Sequence, residues 1–185
     1  MGEPENKKIK AVDIASVAMM TALIVICSWI CIPIGNIPIT LQTFAVCASV
    51  GILGRKKGTI AVVVYIILGI VGLPVFSFFK GGIGALFGVT GGYVIGFIFL
   101  AIIAGFIIEK LRKNIPFMIF GFFSGLVCCY FVGSLWFLFV YMKEAETAGF
   151  LTVMSVGVFP YIIPDVIKIT LAAVVSGAVR KRIKL

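Results

Sequence analysis

The chain contains no histidine at all and only seven acidic residues in 185. The missing imidazole removes the commonest ligand of zinc and haem and the usual base of a Cys/His nucleophile. Neither G-x-x-x-x-G-K-[ST] nor G-x-S-x-G nor H-E-x-x-H occurs, so the standard nucleotide-hydrolysis, acyl-transfer and zincin motifs are absent. There is no paired carboxylate array and no chain of acids within the apolar stretches that would form a proton relay. The hydropathy does not divide into two inverted halves of the secondary-transporter kind. Charge itself is scarce: charged residues make up 12% of the chain, against about 25% in soluble domains.

Apolar side chains fill the gap. They make up 62% of the chain, and the mean hydropathy is +1.23. So little charge cannot cover a soluble fold, and lipid must do the covering. One all-α membrane domain over 1–185 is expected. The polar N-terminus, with Glu3, Glu5, Lys7, Lys8 and Lys10, lacks the form of a cleavable leader, and the first apolar segment is expected to persist as a span. The five cysteines, Cys27, Cys31, Cys47, Cys128 and Cys129, all lie in apolar stretches and read as small packing residues.

Six helical spans are predicted, over about 12–31, 40–53, 58–72, 92–108, 115–142 and 158–179. The basic residues sort onto one side of that arrangement. Lys7, Lys8 and Lys10 precede the first span, and Arg55, Lys56 and Lys57 separate the second from the third. Lys110, Arg112 and Lys113 separate the fourth from the fifth, and Arg180, Lys181, Arg182 and Lys184 follow the sixth. Thirteen of the 16 Lys and Arg thus share a face, which the positive-inside rule makes cytoplasmic together with both termini. The net charge of +9 is then a topology signal with some capacity for anionic lipid. Nucleic acid is a poor partner for it, because the clusters border spans and carry no interleaved aromatics. Asp13, alone among acids in the first span, reads as a helix N-terminal cap.

Three lysines fall outside that pattern. Lys143 lies with Glu144 and Glu146 in a loop and reads as solvated. Lys80, in Phe78-Phe79-Lys80-Gly81-Gly82, is either solvated or faces a ligand from above. Lys168 lies within the sixth span, three residues after Asp165, so the two side chains are neighbours on a helix. Charge inside a bilayer is costly and faces the bundle interior or a cavity. The pair is either an ion pair locking helices together or a polar ligand site. Pro164 is expected to loosen the helix beside it. The stretch 81–93 is expected to fold tightly over an embedded site through several positive-φ glycines. Tyr93 at its end serves either as interfacial anchor or as ligand contact. In the first span, Ala11-x-x-x-Ala15 and Ala18-x-x-x-Ala22 form a small-residue face for close helix approach, within the bundle or against another membrane subunit.

Several motifs together resemble one family. Pro38-Ile39-Thr40-Leu41-Gln42-Thr43-Phe44 is similar to a Pro-Val-Thr-Leu-Gln-Thr-Phe signature of BioY proteins, the biotin-specific S components of energy-coupling factor (ECF) transporters. Gly69-Ile70-Val71-Gly72-Leu73-Pro74-Val75-Phe76 resembles the family's G-x-x-G-x-P-V-F. Gly88-Val89-Thr90-Gly91-Gly92-Tyr93 resembles its G-P-T-G-G-Y, with Val89 in place of proline. Asp165-x-x-Lys168 matches its D-x-x-K, with Ile163-Pro164 where the family tends to Pro-Gly.

The resemblance implies a high-affinity biotin-capture subunit in a bacterial cell membrane, without a cofactor and without enzyme activity. It further implies a membrane T component and two cytoplasmic ATPases as partners. Asp165 would then accept from a ureido N–H, and Lys168 would meet the ureido oxygen or the valerate carboxylate. Gln42, Thr43 and Tyr93 would complete the polar shell, Phe44 and Phe79 would pack the ring and tail, and Lys80 would attract the carboxylate at the mouth. Gly91 falls within a lid formed by 83–92. Ala18 and Ala22, with Ala11 and Ala15, would dock the T component. A stand-alone carrier or channel for a small organic anion, using Lys168 and Lys80, is the alternative, and a membrane-embedded enzyme is a third class without a nucleophile–base set.

Overall fold

The apolar runs form helices, as a lipid-solvated backbone must satisfy its own hydrogen bonds. A computed structural model of the chain describes residues 10–34, 37–111, 114–141, 154–155 and 157–183. Helix α1 spans Ala11–Trp29, α2 Gln42–Leu53, α3 Arg55–Ile70, α4 Ile83–Leu86, α5 Gly91–Lys110, α6 Ile115–Tyr141 and α7 Phe159–Ile183. Four of these are long and apolar enough to cross a membrane: α1, α5, and the 115–140 and 159–182 portions of α6 and α7. At 1.5 Å per residue, the 12 residues of α2 and the 16 of α3 reach about 18 and 24 Å, short of the ~30 Å hydrocarbon layer.

Helix α2 explains its own shortness by position. Ten of its 12 residues are buried, around its whole circumference, the pattern of a helix enclosed on every side. It packs against α1, α3, α5 and α7, while α5 and α6 form the most extensive helix pair. The core between them holds Ile24, Val46, Tyr65, Leu100, Phe122 and Ile169. The outward surface carries large apolar side chains such as Val12, Met19, Phe120, Phe131 and Ile167, as expected where lipid is the solvent.

Charged residues at the ends of α1, α3 and α5 meet at one end of the bundle. The starts of α1 and α3 meet through Lys57 and Asp13, 2.5 Å apart, and the start of α3 meets the end of α5 through Arg55 and Glu109 at 3.1 Å. Asp13 stands in the first turn of α1, as expected for a carboxylate complementing the helix N-terminus, and the same carboxylate also meets the Lys57 ammonium of α3.

The connection between α1 and α2 contains a two-residue antiparallel ladder, Cys31 opposite Thr40 and Ile32 opposite Ile39, which a helix-only reading did not anticipate. The glycine-rich stretch also differs from expectation. Among its glycines in the described residues only Gly82 has positive φ, and 83–86 form the short α4. The left-handed positions fall earlier, on Phe78 and Phe79 within a 3-10 turn over Ser77–Phe79. Two successive non-glycine residues in this region store backbone strain. The segment just before this turn is tied to α1: Ser28 donates to the Val75 carbonyl at 2.5 Å and Trp29 to the Pro74 carbonyl at 2.9 Å. Helix α7 runs unbroken through Pro164, so the expected disruption there is limited to the hydrogen bond that proline cannot donate. The loop with Lys143, Glu144 and Glu146 lies outside the described residues.

Candidate functional site

Asp165 lies six residues into α7, on the face turned toward α2 and α6. Lys168 follows one turn later and donates from Nζ to Asp165 Oδ1 at 2.8 Å. Both residues are buried, at 5% and 7% exposure. The second carboxylate oxygen, Oδ2, accepts from the Tyr130 hydroxyl at 2.6 Å. Each carboxylate oxygen has two lone-pair directions, so both retain acceptor capacity. Lys168 has three N–H donors, one of them directed at Asp165.

These groups border a cavity of about 610 Å³, within the 300–1,000 Å³ of small-molecule sites. Its polar side chains are Thr40, Gln42, Thr43, Ser77, Lys80, Thr90, Tyr93, Tyr130, Tyr161, Asp165 and Lys168; Phe76, Phe78, Val94, Phe97 and Leu126 are among its apolar ones. The polar groups are held from behind. Gln42 donates from Nε2 to the Tyr65 hydroxyl at 2.6 Å, and its Oε1 accepts from Thr40 at 3.1 Å and from Ser77 at 3.4 Å. Tyr93 donates to the Gly157 carbonyl at 3.0 Å. The Tyr161 hydroxyl donates to the Ile37 carbonyl, tying α7 to the α1–α2 connection. A carboxylate, an ammonium, an amide and several hydroxyls around an apolar space form a site that orients a small polar molecule.

The structure thus gathers Asp165, Lys168, Tyr93, Gln42, Thr43 and Lys80 around one space, with Lys80 exposed at its edge. Phe44, Phe79 and Gly91 are not among the lining residues. Phe44, next to Thr43 on α2, is turned by helical rotation into the hydrophobic core. Phe79 is 62% exposed and lies against Trp29, ring centroids 5.0 Å apart. Gly91 lies behind the loop: a Cβ there would sit 1.6 Å from the Leu86 carbonyl oxygen. Tyr130 and Tyr161 escaped sequence reasoning. Their signal was faint but present, a phenol in the middle of α6 and another one turn before Asp165. Ala11, Ala15, Ala18 and Ala22 are all exposed, along one face of α1 away from the cavity.

Fold and site together define an all-helical membrane protein built around an internal cavity for a small solute. The sequence model of the BioY family matches residues 5–185. The biotin transporter BioY of Thermotoga maritima is 41% identical over 163 residues, 88% of this chain and 92% of that protein. The probable biotin transporter BioY of Pyrococcus horikoshii is 36% identical over 168 residues, 91% and 96% of the two chains. The fold matches the crystal structure of the S-component for biotin from an ECF-type ABC transporter, with TM-score 0.84, 31% identity, and coverage of 98% of this chain and 96% of that one. The chain belongs to the BioY family; this is a transporter family, and the chain is not an enzyme.

Proposed function

We propose that this chain is the biotin-binding S component of an ECF-type importer, with high affinity for its ligand and six membrane-crossing segments. Both termini face the cytoplasm of a bacterial cell, and the cavity opens to the outside. The observation that carries this reading is the buried Asp165–Lys168 pair at the cavity wall, with Tyr130 fixing the carboxylate. Biotin's ureido group has two N–H donors flanking a carbonyl acceptor. Asp165 accepts from a ureido N–H, and Lys168 supplies a donor for the ureido oxygen or for the valerate carboxylate; charge-assisted bonds of this kind are strong in a dry site. Gln42, Thr43 and Tyr93 extend the polar shell, and Lys80 offers positive charge to the carboxylate at the mouth.

The fold neighbour's membership of an ECF-type transporter and the absence of a Walker motif here favour division of labour. A membrane T component docks on the exposed alanine face of α1, with Ala18 and Ala22 at its centre, and two cytoplasmic ATPases power release. The short α2 and α3 cross as part of the bundle, where neighbouring helices shield their ends. Reconstitution in liposomes tests this assignment. ATP-dependent biotin accumulation that requires the T component and ATPases supports it. Uptake by the isolated chain would instead favour the stand-alone carrier.

A further inference from the structure

The basic end of the bundle holds a second, smaller cavity of about 190 Å³, bordered by Gly54, Arg55, Gly105, Ile108, Glu109 and Arg180 among others. It shares no residue with the large cavity. Along α7, Arg180 is 15 residues beyond Asp165, about 22 Å at the helical rise. Nε and Nη1 of Arg180 are buried and have no hydrogen-bond partner among the described residues. A guanidinium presents five N–H donors in a rigid fork, and leaving the three on Nε and Nη1 buried and unsatisfied is costly. Across the cavity, Arg55 is held in place. Its Nε meets Glu109 Oε2 at 3.1 Å, and its guanidinium lies 5.7 Å from the Phe106 ring centroid. Gly105 allows that approach, since a Cβ there would lie 2.6 Å from Arg55 Cβ. Two guanidiniums and one carboxylate leave the cavity with net positive charge.

We propose that this cavity is a phosphate-binding site in which Arg55 and Arg180 clasp one phosphate group and Glu109 tempers their affinity. The planar forks suit the oxygens of a phosphate better than a point charge would. Arg55 and Glu109 are partly exposed, so the group can enter from the bundle's basic end. The same chemistry is offered by the head group of an anionic phospholipid and by free inorganic phosphate. The proposal is independent of the biotin assignment.

The test uses the full chain purified in detergent, with thermal unfolding followed as inorganic phosphate is titrated at constant ionic strength. In parallel, native mass spectrometry measures retention of added phosphatidylglycerol. Phosphate saturation identifies the free ion as a ligand; retention of phosphatidylglycerol without a phosphate response identifies the head group. In either arm, Arg180→Gln and Arg55→Gln weaken binding about tenfold, the loss of one charge-assisted contact, while Lys181→Gln leaves it unchanged. Glu109→Gln tightens it severalfold by releasing Arg55, and this decides the matter should an arginine variant fail to fold. No response in either arm, equal behaviour of Arg180→Gln and Lys181→Gln, or no gain from Glu109→Gln overturns the proposal.

Discussion

Tyr130 and Asp165 lie 35 residues apart in sequence and 2.6 Å apart in space, phenol to carboxylate. The bond crosses from α6 to α7 and aims one oxygen of the only acid lining the large cavity among the described residues. Lys168 holds the other oxygen. The carboxylate is thus oriented from two sides before any ligand arrives, which lowers the ordering cost of binding.

Tyr130→Phe removes one of those two constraints and leaves the ring in place. Biotin affinity in the purified protein is expected to fall about tenfold, the scale of a hydrogen bond to a charged group, with helix content unchanged. Calorimetric titration reads the first and circular dichroism the second. Unchanged affinity would remove Tyr130 from the site.

Gly91→Ala places a methyl group where the Leu86 carbonyl already stands. Either α5 or the turn after α4 must move. Thermal unfolding in detergent should show a loss of about 1–3 kcal/mol, as for overpacked cores. Gly84→Ala, where a Cβ meets nothing within 4 Å, is the matched control and should leave stability nearly unchanged.

Ala18→Leu and Ala22→Leu enlarge exposed positions on α1. The isolated protein should keep its stability and its ligand affinity, because neither residue touches the cavity. ATP-driven uptake with the T component and ATPases should fall sharply, since close helix approach depends on small side chains. Full uptake by both variants would move the docking face elsewhere.

The proposed orientation is checked by single cysteines placed in a cysteine-free background at two exposed residues, Lys80 and Lys56. A membrane-impermeant maleimide applied to whole cells should label Lys80→Cys and spare Lys56→Cys until the membrane is permeabilised. The reverse pattern would invert the topology.

Much of this was legible in one dimension, and the reason differs by feature. Hydropathy located α1, α5, α6 and α7, the four helices long and apolar enough to cross a membrane, because lipid exposure leaves long apolar runs, and Asp165–Lys168 stood out because charge there is expensive. Spacing on one helix sufficed to pair them. Phe44 and Phe79 were misplaced relative to the cavity for a different reason. Successive residues on a helix point in different directions, so Phe44 turns into the core beside the cavity-lining Gln42 and Thr43, and the left-handed turn at Phe78 and Phe79 has no glycine to announce it. Tyr130 was hidden because its partner lies on another helix. Asp13 stands at its own helix end as the sequence suggests, and its further partner Lys57 on α3 was hidden for the same cause.

The most direct test is calorimetric titration of biotin into the purified chain, beside Asp165→Asn and Lys168→Ala. The account predicts tight one-site binding by the wild type and its loss in both variants, with each variant still folded by circular dichroism. A folded wild type that does not bind biotin, or variants that bind it as tightly as the wild type, would contradict it.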